Sequence, residues 1–115
     1  MMSKTNQGRA AEAMAAQFLQ DLGYEILARN YQSHRWEIDL IARKAQILVF
    51  VEVKSRANTA FGYPEAAVNL KKQTYVRYAA EQYLLAHQYT GDIRFDIISI
   101  VTGPEQEIVH FEDAF

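Results

Sequence analysis

The stretch WEIDLIARKAQILVFVEVKSR, residues 36–56, constrains this chain more than any other segment. Its Ile, Leu, Val and Phe residues read as two strands, 36–42 and 47–55, joined through Arg43, Lys44, Ala45 and Gln46. A connection that short makes an antiparallel hairpin. Yet the same strands carry Glu37, Asp39, Glu52 and Lys54 among their apolar side chains. Moving an unpaired charge into such surroundings costs several kcal/mol or more. The charges therefore need compensation, and its source bears on function.

The flanking sequence sets the fold around this hairpin. Ala11, Met14, Ala15, Phe18, Leu19 and Leu22 recur at helical spacing within residues 6–22, and Gly23 supplies a stop. Residues 24–30 (YEILARN) form a first strand. ANTAFGYP, residues 57–64, reads as a loop whose Pro64 suits the first turn of a helix; the helical pattern then runs to about His87, with an interruption near Asn69. Residues 93–101 form a fourth strand and EIVHF a short fifth. A helical crossover between the third and fourth strands favours parallel pairing there. The expected fold is an α/β sandwich: a single domain over residues 1–115, with a mixed sheet of about five strands flanked by helices.

Composition narrows the function classes. The chain has no cysteine, which excludes disulfide frameworks and thiolate metal sites and fits a cytoplasmic location. No apolar run reaches membrane length, and the N-terminal stretch lacks the apolar region of a signal peptide, so no membrane partner is expected. His34, His87 and His110 are scattered without a zinc-ligand spacing. There is no Gly-rich phosphate loop or nucleophile elbow. The net charge of −2 hides an uneven distribution. Residues 105–115 hold four acids and no Lys or Arg, leaving twelve basic side chains against ten acidic ones in the preceding part.

Period-two geometry sorts the hairpin's side chains. Phe50, Glu52 and Lys54 share one face of the third strand; Glu37, Asp39 and Ile41 share one face of the second. Asp39 and Glu52 fall on one face of the sheet only if Asp39 is paired with an even-numbered residue. Opposite Phe50, Asp39 would have Glu52 as its diagonal neighbour, about 7–8 Å away at Cα. Two such carboxylates and a backbone carbonyl, here that of Val53, make an oxygen-rich site suited to Mg²⁺ or Mn²⁺. Lys54 beside them would orient or deprotonate a water, or stabilise charge on a phosphate, as metal-assisted phosphodiester hydrolysis requires. The same residues also read as ordinary ion pairs, Glu52 with Lys54 and Glu37 with Arg35, on a solvated face.

Asp39 followed by Glu52-Val53-Lys54 resembles the PD-(D/E)XK nuclease signature, with Ile38 where the Pro would stand. More closely, GRAAEAMAAQFLQDLGYEILARNY, EIDLIAR, FVEVKSR, FGYPEAAVNLKKQ and RFDIISI, in that order, resemble the YraN-like family of small bacterial proteins. That family is similar in pattern to archaeal Holliday-junction resolvases. The resemblance implies a restriction-endonuclease-like fold, with Asp39 and Glu52 as metal ligands and Lys54 as the catalytic lysine. It also brings in Glu12 as an acidic residue of the first helix near the metal. Glu12 lies at the edge of that helix's apolar stripe beside Gly8, Ala15 and Ala16; without the resemblance, it reads as a solvent-facing helix glutamate. Glu37 matches the first acid of the family's GEID pattern, whose Gly is replaced by Trp36. Alternation points Trp36 away from Glu37 and Asp39, toward core packing.

Supporting positions follow. Lys72 heads a stripe with Val76, Ala79, Ala80 and Tyr83, and reads either as a snorkelling lysine or as a phosphate or carboxylate contact, with Gln73 adjacent. Asp96 reads as structural, paired with Arg94 or Lys72. Arg9, Arg56 and Lys71, with Lys4 and Arg77, are candidate phosphate contacts, and Tyr75, Tyr78 and Phe61 offer stacking surface. The expected function is a Mg²⁺- or Mn²⁺-dependent endonuclease acting on branched or structured DNA. Analogy with junction resolvases implies a homodimer, since two symmetric cuts need two sites. The alternatives are a non-catalytic nucleic-acid-binding module of the same fold and a protein-interaction domain.

Overall fold

A computed structural model describes residues 6–56 and 69–115 of the chain. Helix α1 spans Asn6–Asp21. It ends on Gly23, whose φ of 96° lies in the left-handed region that glycine adopts without strain. The Tyr24 amide donates to Leu19 O at 2.9 Å and the Gly23 amide to Gln20 O at 3.0 Å, the paired bonds of a Schellman stop. The small buried residues Ala11, Ala15 and Ala16, with Leu19, let this helix approach the sheet closely.

Strands β1 (Glu25–Ser33), β2 (Trp36–Lys44) and β3 (Ile47–Arg56) run antiparallel in succession. The β2–β3 turn is tighter than the four-residue connection expected, because pairing continues to Lys44↔Ile47 and leaves only Ala45 and Gln46 between the strands. Ala45 takes up the reversal with a φ of 55°. Helix α2 spans Leu70–Ala86, with Asn69 as its N-cap accepting the Lys72 amide at 2.8 Å. The sequence interruption at Asn69 is thus a helix start. The loop and helical turn expected over residues 57–68, with Phe61 and Pro64, lie outside the described residues, as does Lys4.

Strand β4 (Asp92–Val101) pairs parallel with β3, as the helical crossover predicts, and β5 (Glu107–Phe111) closes the other edge antiparallel. The sheet order is β1-β2-β3-β4-β5. This is an α/β architecture, a five-stranded mixed sheet with a helix on each face, consistent with a restriction-endonuclease-like fold. On the α1 face Leu40, Ala42, Val49, Val51, Ile98 and Ile100 form the core with the helix alanines. On the α2 face Ile38, Ile41, Leu48, Phe50 and Phe95 meet Val76, Ala79, Ala80 and Tyr83. No helix among the described residues is long and apolar enough to cross a membrane.

One polar hub is built into this core. Asp96 of β4 is fully buried. Arg94 donates to both its carboxylate oxygens at 2.8 Å, His110 Nε2 of β5 lies 2.7 Å from Oδ2, and the Asp113 amide donates to Oδ1 at 3.0 Å. Burial alone would raise this carboxyl, but the bonds from His110, Arg94 and the Asp113 amide outweigh it and hold the group below the usual carboxylate range. The bond to Asp96 also raises the Arg94 guanidinium. Arg94 donates onward to the Tyr24 hydroxyl at 2.7 Å. Asp96 thereby ties β5 and the segment after it to the start of β1.

Candidate functional site

The site forms where β2 and β3 part. Their main-chain register runs from Lys44↔Ile47 to Leu40↔Val51. One further step would set Asp39 opposite Glu52, an even-numbered residue as the same-face argument needs, though not Phe50. At that step the Asp39 side chain takes over: the Val53 amide donates to Asp39 Oδ2 at 2.8 Å. Such a charge-assisted bond to a backbone amide orients a carboxylate firmly.

Strict alternation does not carry through Asp39. Ile38 and Ile41 pack in the same α2-side core although three residues apart, and so do Tyr31 and Ala28, their partners on β1. The slip falls on Asp39 and on Asn30, which lies between the partners of Ile38 and Leu40 and has a φ of 51°. Asn is among the residues that tolerate this conformation best. The slip brings Asp39 to the α1 side of the sheet, toward Glu12.

One carboxylate oxygen from each of Glu12, Glu37 and Asp39 lies within 4.8 Å of the other two. Glu12 and Asp39 are buried, at 7% and 6% exposure, and Glu37 is half-buried. Three acids gathered this closely, with so little water around two of them, favour a cation among them. Their all-oxygen donor set fits a hard divalent ion. Glu12 therefore does not face solvent: Ala11, Ala15 and Ala16 seat α1 close enough to the sheet to bring its carboxylate to β2.

Glu52 keeps the opposite face. It continues the alternation of Phe50, which packs against α2, and its Oε1 lies 3.6 Å from Lys72 Nζ on that helix. Among the described residues Glu52 does not join the three-acid group. Lys54 follows on the Glu52 face, half-buried and aligned with Ser99 of β4. Asp39 thus links two sets of charges, acids on the α1 side and the Glu52–Lys72 pair with Lys54 on the α2 side. Gln73, at the start of α2, donates its amide to Asn69 O at 3.0 Å. Arg9, Arg56 and Lys71 are exposed, and the Arg56 carbonyl accepts the Thr102 amide at 2.8 Å. Arg77 stacks over Phe95 at 4.8 Å and Phe115 at 5.7 Å. Asp96 belongs to the separate hub on β4.

Sequence reasoning did not find His110 and the Asp113 amide as partners of Asp96, or Tyr24 as a partner of Arg94, since they arrive from distant segments. One signal was present: Asp96 stands in an apolar strand and so demands several donors.

Residues 11–100 match the uncharacterised protein family UPF0102. The chain is 41% identical over 112 residues to a UPF0102 protein of Dictyoglomus turgidum, covering 96% of this chain and 95% of that one. A UPF0102 protein of Chloroherpeton thalassium is 42% identical over 118 residues, with coverage of 94% and 92%. A third, from Lachnoclostridium phytofermentans, is 40% identical over 116 residues, with coverage of 99% and 96%.

Proposed function

This chain belongs to the UPF0102 family, and from its site we propose that it is a Mg²⁺- or Mn²⁺-dependent endonuclease hydrolysing phosphodiester bonds in branched or otherwise structured DNA. The observation that carries this reading is Asp39. Its carboxylate is anchored on the Val53 amide at 2.8 Å while one of its oxygens stands within 4.8 Å of one oxygen each of Glu12 and Glu37. A cluster of acids held this way, from one helix and one strand, fits a cation better than it fits solvent. The motif Asp39…Glu52-Val53-Lys54 supplies the basic group that an acid cluster alone lacks.

Glu12, Glu37 and Asp39 would hold the ion on the α1 side of the sheet, while Glu52 stays with Lys72 on the α2 side. When bound, a divalent ion polarises a phosphoryl oxygen and lowers the pKa of a coordinated water. The chain's own residues do the rest. Asp39, fixed by its backbone bond, sets the position of the reacting phosphate. The Lys54 ammonium orients the attacking water or balances charge on that phosphate. Lys72 steadies the Glu52 carboxylate, and Arg9, Arg56 and Lys71 contact flanking phosphates.

The test is cleavage of a synthetic four-way DNA junction in Mn²⁺ by wild type, Asp39→Asn and Lys54→Ala. Loss of cleavage in both variants, with circular dichroism unchanged, supports the reading. Equal cleavage by all three overturns it. Salt-sensitive binding without turnover under any divalent ion leaves a binding module of the same fold.

A further inference from the structure

Beside the Glu52–Lys72 pair lies an aromatic and cationic surface that the chemistry above does not use. Trp36 opens β2 and is half-buried, with its ring centroid 4.4 Å from that of Tyr78 and 6.1 Å from that of Tyr75. Tyr78 is 45% exposed, among the most exposed large apolar side chains described. Trp36 Nε1 donates to no acceptor among the described residues, so ring contacts set its position there. Two cations frame the group: the Arg35 guanidinium lies 5.8 Å from the Trp36 ring centroid, and Lys71 Nζ lies 5.9 Å from that of Tyr75. All the basic residues of α2, Lys71, Lys72 and Arg77, precede its one acid, Glu81.

We propose that Trp36 and Tyr78 form a stacking platform for an unpaired nucleobase, with Arg35 and Lys71 on the phosphates either side of it. The inference rests on the nuclease reading and names what its substrate must offer: a base outside the duplex stack. Three features select this occupant. Flat aromatic faces accept any base, whatever its hydrogen-bonding edge. The framing charges are positive, complementary to a phosphate backbone and wrong for a basic partner. Placement agrees as well. Lys72, which contacts Glu52, stands one helical turn before Tyr75, a rise of about 4.5 Å. A strand with one phosphate beside Lys72 therefore reaches the platform within a nucleotide or two. A fully stacked duplex offers no such base, whereas a junction, flap or bulge does.

The experiment uses the full chain in EDTA, so that nothing is cleaved. Trp36 is the chain's one tryptophan, and its fluorescence reports on the platform directly. Wild type, Tyr78→Ala and Tyr78→Phe are titrated with a labelled ten-nucleotide oligothymidine, the same strand in a paired duplex, and a ten-residue acidic peptide. The expected result is quenching of Trp36 by the single strand. Tyr78→Ala weakens that binding about 5- to 150-fold, the worth of one base–aromatic stack, and Tyr78→Phe restores it. Duplex binding changes little in either variant.

Single-strand binding that leaves Trp36 unquenched and is indifferent to Tyr78→Ala overturns the platform. If Asp39-dependent junction cleavage persists in that case, the nuclease reading stands without it. Tighter binding and quenching by the acidic peptide overturns the proposal in favour of a protein partner. Absence of any binding or cleavage of DNA by wild type overturns both readings.

Discussion

The Val53 amide donates to Asp39 Oδ2 at 2.8 Å, just beyond the last main-chain pair of β2 with β3, Leu40↔Val51. A side chain thus takes the place of a ladder bond where the two strands part. The same contact satisfies a backbone donor, orients a carboxylate and brings it to Glu12 on α1. Fold and candidate chemistry share this one bond.

Asp39→Ala leaves the part-buried Val53 amide without its acceptor and lowers stability by about 1–3 kcal/mol. Asp39→Asn keeps a side-chain oxygen there and removes one of three clustered charges, so in EDTA it costs less than Asp39→Ala. Urea unfolding of both variants checks the order. Calorimetric titration shows Mn²⁺ affinity reduced in both.

Divalent ions stabilise the folded chain by mass action. With free Mn²⁺ at a hundred times its dissociation constant, the gain is about 2.7 kcal/mol, a rise of about 10 °C in Tm. The double variant Glu12→Gln, Glu37→Gln loses most of this shift, because it removes two of the three clustered carboxylates. Thermal melts with and without Mn²⁺ decide.

Asp96 makes stability fall in acid. Its carboxyl titrates lower in the folded chain than in the unfolded one, because His110, Arg94 and the Asp113 amide favour the ionised form against burial. A depressed folded-state pKa gives stability that is present above the unfolded value, about 3.9, and is lost as pH drops through the folded value. Asp96→Asn removes this dependence. The difference in urea midpoint between wild type and variant is largest at neutral pH and shrinks below about pH 4. Asp96→Ala costs about 3–5 kcal/mol, since it strips a mostly buried Arg94 of its main acceptor.

Lys72→Met separates function from stability. The Lys72 side chain is 40% exposed and stands 3.6 Å from Glu52, so losing the pair costs about 1 kcal/mol or less. Junction cleavage drops further than that, because Glu52 loses the contact that steadies it. Denaturation and cleavage measured on the same preparation distinguish the two effects.

Much of the architecture was legible locally. Gly23 marked the stop of α1, whereas Asn69 showed in the sequence only as an interruption of the helical pattern and proves to be the N-cap of α2. The helical crossover between β3 and β4 announced their parallel pairing. These signals are short-range: a backbone conformation, a cap, a right-handed connection. The apolar residues of 36–56 likewise specify strands whatever their neighbours, and Asp39, Glu52 and Lys54 stood out because apolar strands seldom tolerate charge.

What the amino-acid order determined alone was therefore the order of elements and the set of charges that needed partners. Which partners they obtained was decided in three dimensions. The slip at Asn30 and Asp39 sends Asp39 to Glu12 and Glu37 on one side of the sheet, while Glu52 turns to Lys72 on the other. Alternation cannot foretell that, because a slip depends on two strands accommodating each other. Asp96 likewise finds Arg94 two residues away but His110 and Asp113 only once β5 has folded back. Local periodicity sets which way a side chain starts; the packing of distant segments sets what it meets.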